Sequence, residues 1–414
     1  MKNTEMDNRT FRIAIDGGQG YRNLGDDLIL LAMLQHFRTM GRPLDILVLT
    51  QRPDSTRTVF QEFGIRTVRS IGLRTVVRRL VSLDCSTLRT FLWPVLWADV
   101  YVIGGGSLIV DNRGVGPLVN YLVRGLVAKI RGKSLMLYAV GIGPLGTALG
   151  RLVGGLLLFL ADRVTVRDER SAEVARGLPG WRHQLAITAD PVLGIELPMR
   201  KEADGNNKHD EKKRIAVCLR DYHLSDHSED RKKDRERFVA RLAGLLRECF
   251  CDRGFEIVFV PFQVVDGGAQ GVEDRLDDEQ ISLEMARLIG CERVVVTRGR
   301  LRLEDIVDVF TTCDAIVGER LHSLILAVSL GVPVFAIDYY PKIAGFMEMV
   351  GMGDYKLELS ELVAANWDEE RAQRSVEAFI SSLDLLREKV ARVRLGARAA
   401  ALMNVEALSS LLPT

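Results

Sequence analysis

Two hydrophobic rhythms alternate along the chain. Short continuous apolar runs at residues 11–16, 44–49, 97–103, 134–140 and 162–167 read as buried strands. Between them the apolar residues recur every three or four positions, as on one face of a helix: residues 26–37, stretches of the basic segment 51–92, and 169–177. The run at 152–161 reads as a buried helix. A polar tract, 197–213, then interrupts both rhythms and reads as a linker. Beyond it strands are expected at 214–219, 255–260, 293–296, 314–317 and 332–337. Helices are expected at 234–251, 279–288, 303–311, 321–330 and 345–350. Strand and helix alternate in both halves, so each half predicts a parallel sheet with helices on both faces. The expected fold is α/β, with two Rossmann-like doubly wound domains at 11–196 and 214–365. Residues 366–414 form C-terminal helices.

Composition narrows this picture. A chain of 414 residues is long enough for two cores, and 47% apolar with 27% charged residues is ordinary for a globular protein. A formal charge of +1 argues against a nucleic-acid partner. The first ten residues are polar and unlike a signal peptide, and the 152–161 run falls short of the ~20 residues that a bilayer-spanning helix needs. Six cysteines, at 85, 218, 249, 251, 291 and 313, form no usual zinc or redox spacing. They point to reduced thiols and a cytoplasmic protein.

Candidate chemistry gathers where strands end and helices begin. In open parallel sheets that carboxyl edge is where ligands bind. Val317-Gly-Glu-Arg-Leu-His322 places Arg320 and His322 at such a junction. A guanidinium and an imidazole at a helix N-terminus suit an anionic substrate that also needs a proton moved. The simpler alternative pairs Arg320 with a surface carboxylate and leaves His322 to cap the helix. Arg167, Arg220 and Lys342 are further candidate anion ligands, each at a strand end or in the loop after one. Near the N-terminus, Gly18-x-Gly20-x-x-Asn23 breaks the dinucleotide fingerprint at its third glycine, so a nicotinamide cofactor is not expected. Asp26 and Asp27 either favour the start of their helix or orient a hydroxyl. Gly104-Gly-Gly-Ser107 and Gly141-Ile-Gly-Pro144 read as glycine turns on the same edge, the first a candidate amide nest. His223, Asp226, His227, Glu229 and Asp230 read as a solvated charged loop rather than a metal site. Arg74, Arg78 and Arg79 sit on a solvated face, the alternative being an anionic lipid surface.

Taken in order, these pieces resemble the polysaccharide pyruvyl transferase family. The matching motifs are Asn23-Leu-Gly-Asp-Asp-Leu-Ile-Leu30, Gly104-Gly-Gly-Ser-Leu108, Gly141-Ile-Gly-Pro144 and Val166-Arg-Asp-Glu-Arg-Ser171. Ala189-Asp-Pro-Val192, Arg320-x-His322 and Asp338-Tyr-Tyr-Pro-Lys342 follow. Two departures stand out: Asp27 where the family often has glutamate, and Gln263 where some members have histidine. The resemblance implies a GT-B-like architecture with the active site in the interdomain cleft. It implies phosphoenolpyruvate as co-substrate, no other cofactor, no metal, and a cyclic pyruvate ketal on a sugar as product. On that basis His322 is the expected general acid and Asp26 a second catalytic candidate. Arg167, Arg320, Arg220 and Lys342 are expected to bind the donor. Asn23, Gly25, Gly105, Gly106, Ser107 and Gly143 form the expected glycine-loop and acceptor side. The implied partners are phosphoenolpyruvate and a sugar or lipid-linked glycan acceptor. Peripheral contact at the inner face of the cytoplasmic membrane and a homo-oligomer are compatible with this reading. A nucleotide-sugar glycosyltransferase of the same architecture, or a non-catalytic glycan-binding scaffold, are the alternatives.

Overall fold

A computed structural model describes residues 9–20, 23–80, 86–112, 114–180, 185–196, 213–220, 229–264 and 277–412. The expected linker at 197–213 and the residues of the charged loop before Glu229 lie almost wholly outside the described residues. The chain divides into two compact units. One comprises residues 1–21, 29–195 and 397–414; the other comprises 22–28 and 196–396.

In the first unit the strands are β1 (Phe11–Asp16), β2 (Leu44–Thr50), β3 (Arg66–Arg69), β4 (Val100–Ile109), β5 (Ser134–Ile142), β6 (Arg163–Val166) and β7 (Ala186–Ile187). Among the described residues they form one parallel sheet in the order β3-β2-β1-β4-β5-β6-β7. The helices are α1 (Leu24–Arg38), α2 (Pro53–Val59), α3 (Leu73–Leu80), α4 (Ser86–Trp97), α5 (Gly116–Ile130), α6 (Ala148–Leu160) and α7 (Glu169–Arg176). Central strands buried on both faces lose the polar alternation of a half-exposed strand, and for that reason they read as continuous apolar runs. Edge strands β3 and β7 lack such runs; β3 reads Arg-Thr-Val-Arg and escaped the hydrophobic pattern. A buried ion pair ties the sheet to its helices. Arg124 of α5 donates to Asp16 at the end of β1, 2.7 Å away, and Tyr101 of β4 donates to the same oxygen. Arg124 also donates to the carbonyls of Phe91 and Ile71, so all three of its side-chain nitrogens are engaged inside the fold.

The second unit contains β8 (Arg214–Cys218), β9 (Glu256–Phe259), β10 (Val294–Val296), β11 (Ala315–Gly318), β12 (Val334–Asp338) and β13 (Lys356–Glu358). They form a parallel sheet in the order β10-β9-β8-β11-β12-β13. Its helices are α8 (Glu229–Cys249), α9 (Asp278–Ile289), α10 (Leu303–Thr311), α11 (Leu321–Leu330), α12 (Pro341–Met349), α13 (Leu359–Val363), α14 (Glu369–Ser381) and α15 (Leu383–Ser409). The last turns of α15 count with the first unit.

Several expectations are corrected. The glycines of the 104–107 segment form no turn: they lie inside β4, and the strand runs on to Ile109 with a register shift after Gly106. Gly105 has φ +74°, and a side chain there would strike Ile29 of α1, so close helix packing accounts for it. Gly141 likewise belongs to β5, and the turn starts at Gly143. The 97–103 strand starts three residues late because Trp97 closes α4. Helix α6 is buried on one side only. Lys342 is in the first turn of α12 rather than a loop, since Pro341 is well suited to open a helix. Helix α8 begins at Glu229, inside the expected charged loop. Cys251 and Cys291 form a disulfide, against the expectation of reduced thiols; no sequence spacing flags a pair 40 residues apart. The domain boundaries differ in two places: residues 22–28 count with the second unit, and 397–414 with the first.

Candidate active site

The second sheet reverses its order between β8 and β11, and ligands of such sheets bind outside the strand ends at that switch point. Arg220 follows β8; Glu319, Arg320 and His322 follow β11. Gly318 lets α11 start close to the strand, since a side chain there would lie 2.6 Å from the Ser323 hydroxyl. Arg320 occupies the N-cap position of α11 with no side-chain cap bond, and His322 lies in the first turn.

Arg320 is partly in the state of its simpler alternative, though its partner is buried. Its Nε donates to Asp278 Oδ2 at 3.0 Å, a second donor reaches Oδ1, and Nη2 donates to Gln263 Oε1 at 3.2 Å. Asp278 opens α9, is fully buried, and also accepts from the backbone amides of Phe262 and Gln263. Those amide bonds fix the carboxylate and through it the guanidinium plane. Arg220 donates to the Tyr339 hydroxyl at 3.0 Å and stacks on that ring. Lys342 lies over the Tyr340 ring.

Glu319 was missed by sequence reasoning. It is fully buried, and its Oε2 accepts from the Arg220 backbone amide at 2.9 Å. Its other oxygen has no hydrogen-bond partner among the described residues. Burial pushes its carboxyl up to about 7, with the Arg220 amide and the charges of Arg320 and Arg220 pulling the other way. A lone carboxylate beside arginines reads in sequence as a surface pair, and nothing local signals its burial. Asp278 was hidden in the same way, within the acidic run that continues to Glu279.

The start of α1 joins this cluster. Asn23 bridges to Gln263, and the Leu24 amide donates to the Phe262 carbonyl at 3.1 Å. Asn23 Oδ1 accepts from the Gly25 amide, an N-cap bond. Gly25 packs against the imidazole: a methyl there would lie 2.7 Å from His322 Cγ. Asp26 is in the same first turn, and Asp27 pairs with Arg300 at 2.6 Å. Thus Asn23, Gly25 and Asp26, expected on the other domain, are grouped with His322 and Arg320.

A second cluster belongs to the first unit. Arg167, just past β6, is buried and paired with Asp190 at 2.9 Å. Its Nη2 donates to Ser107 Oγ at 2.7 Å. Gly141 makes room, because a side chain would approach both Arg167 and Ser107 at 3.1 Å. Gly143 packs against Val174, and Gly105 and Gly106 are buried within β4. Burial raises Cys218 well above its ordinary value and Cys313 to about 12.

The family model of polysaccharide pyruvyl transferases matches residues 23–340, most of the chain, and spans both clusters. The chain belongs to the polysaccharide pyruvyl transferase family. Among curated proteins, this pyruvyl transferase is similar to the amylovoran biosynthesis protein AmsJ of Erwinia amylovora. The two are 19% identical over 382 residues, covering 85% of this chain and 89% of that protein. Its fold is similar to the UDP-GlcNAc 2-epimerase of Neisseria meningitidis, with TM-score 0.57, 13% identity and coverage of 96% and 99%. A 2-epimerase from Listeria monocytogenes gives 0.55, 11%, 95% and 94%. At such identities these likenesses establish a GT-B-like fold and nothing about substrate. No helix among the described residues is long and apolar enough to cross a membrane.

Proposed function

We propose that this pyruvyl transferase takes its pyruvyl group from phosphoenolpyruvate and leaves it as a cyclic ketal on a glycan. The observation that carries the reading is the grouping of Arg220, Arg320 and His322 at the switch point of the second sheet. Phosphoenolpyruvate concentrates a carboxylate and a phosphate in a small volume. Planar guanidinium groups recognise both bidentately. Asp278 and Gln263 hold Arg320 in plane, and the Asp278 carboxylate neutralises part of its charge, so Arg220, whose side-chain partner is the Tyr339 hydroxyl, is assigned donor contacts as well, with Lys342 the weakest candidate. Ser107, Asn23 and Gly25 support their neighbours in the fold, and Asp26 is assigned to orienting an acceptor hydroxyl.

In the proposed sequence His322, as imidazolium, gives its proton to C3 of the enol ester, which makes C2 electrophilic. One acceptor hydroxyl adds to C2 and loses its proton. A second hydroxyl then attacks C2, phosphate leaves with the C2–O bond electrons, and the second hydroxyl proton is released. Two C–O bonds form, one breaks, and one proton ends on carbon. An anion on Arg220 and Arg320 offsets their positive charge and favours protonated Glu319 and His322.

The test is release of inorganic phosphate from phosphoenolpyruvate in the presence of a glycan acceptor. Release should depend on the acceptor and fall by roughly 100-fold or more in His322→Ala, the usual scale of a lost general acid. Near-parental turnover in that variant would refute the assigned role. Thermal stabilisation by a nucleoside diphosphate sugar, with none by phosphoenolpyruvate, would point to a glycosyltransferase instead.

A further inference from the structure

Helices α3, α4, α5 and α6 adjoin one another in the first unit, and none contains an aspartate or glutamate. The whole chain carries 55 acidic residues in 414, about one in eight, so four successive helices without one is a marked bias. Arginines are present: Arg74, Arg78, Arg89 and Arg151 are exposed on these helices. The carboxylates nearest to these helices are in the connections, where they are engaged: Asp111 accepts from the Gly146 and Thr147 amides at the start of α6, Asp99 pairs with Lys133, and Asp162 pairs with Lys129.

The same layer carries an outward apolar stripe. On α6, Leu149, Leu152, Leu156 and Phe159 recur at spacings of three and four and are all exposed, Leu152 by 49% and Phe159 by 42%. Val153, Leu157 and Leu158 face the core, and Gly155 lets that side press against the Pro179 carbonyl. The helix is therefore apolar on two sides, and Leu149, Leu152 and Leu156 stand on the side away from the core. On the adjoining α5, Leu126 and Ile130 extend the exposed patch, Ile130 being 73% exposed. Exposed apolar side chains grouped in this way mark an interaction face.

The occupant must satisfy apolar side chains and uncompensated cations together. A second copy of the chain would bring arginines against arginines. A bilayer surface with anionic headgroups supplies hydrocarbon for the stripe and phosphates for the arginines. We propose that the α3–α6 face lies on an anionic phospholipid surface, with Leu149, Leu152 and Leu156 entering the acyl boundary and Arg74, Arg78 and Arg151 among the phosphates. This does not rest on the identity of the donor.

Flotation of the full chain with vesicles tests it. With vesicles of phosphatidylcholine and phosphatidylglycerol in equal parts the protein should float, and high salt should release it. With phosphatidylcholine alone it should stay below. The double variant Leu152→Glu, Leu156→Glu should lose flotation, while circular dichroism and phosphate release with a soluble acceptor stay at the parental level. Replacing Arg74 or Arg78 by alanine should weaken binding roughly fivefold each, the scale of one headgroup contact. Absence of flotation, or equal flotation with both vesicles, overturns the proposal. So does a concentration-dependent dimer that the glutamate variant dissolves without any vesicle binding, which would assign the face to a second copy.

Discussion

Glu319 and its neighbours show how far a side chain's chemistry depends on where folding puts it. Arg320 and His322 were legible as candidates because strand and helix rhythms meet at Gly318 and both residues follow the junction. Glu319 stands in the same motif, yet only burial gives it character. Its ordinary value of 4.5 rises to about 7 in the fold, so the folded state holds this proton more tightly than the unfolded chain. The associated stability is fully present below 4.5 and is lost as pH rises through about 7, with a total of about 3 kcal/mol. Glu319→Gln keeps the shape and removes the titration. Denaturant unfolding at about pH 5 and about pH 8 should show the parent losing stability relative to the variant across that window. Parallel curves would mean that Glu319 is ionised throughout, compensated by Arg220 and Arg320.

At the scale of elements, glycine carries much of the information. Gly25 is in the first turn of α1, where the sequence offered no reason to choose it over alanine, a better helix former. The reason is tertiary: the His322 ring lies against its Cα. Gly25→Ala should therefore gain a little helix propensity and still lose activity, as the methyl turns the imidazole aside. Kinetics with phosphoenolpyruvate should show kcat falling at least tenfold with far-UV circular dichroism unchanged, roughly the cost of misplacing a proton donor. Unchanged kcat would mean that the ring moves without penalty. The glycines of β4 teach the opposite lesson. Three in a row read as a ligand loop, but Gly105 admits Ile29 and the strand simply continues. Helix α6 was legible as apolar, and period alone does not separate a helix buried all round from one with an unused apolar side.

The molecule as a whole is divided otherwise than along the sequence. Residues 22–28 serve the second unit, and residues 397–414 return to the first. Asn404 of α15 is fully buried in the first unit, accepts from the Thr188 hydroxyl at 2.9 Å and donates to the Ala189 carbonyl at 3.1 Å. Asn404→Ala leaves those groups unpaired and should cost about 1–3 kcal/mol, read as a lower midpoint in denaturant. Truncation after Gly396 would also strip Ala401, Val405 and Leu408 from that core, and the shortened chain should aggregate on expression. A truncated chain that melts at the parental temperature would mean that the helix end is an accessory.

The sequence alone determined the class of the fold and the order of its elements, because strand and helix periods are local properties that survive any arrangement. It also determined the family, through short motifs in a set order, and with them Arg167, Arg320 and His322 as candidates. Tertiary structure decided which charges meet. Asp278 lies 42 residues before Arg320, and Asp190 lies 23 after Arg167, and no local pattern specifies such pairs. It decided too that Gly25 belongs beside His322, and that one side of α6 is left uncovered. Burial and long-range contact depend on the closing of the whole chain, and these set the protonation, the pairing and the free surface that the chemistry uses.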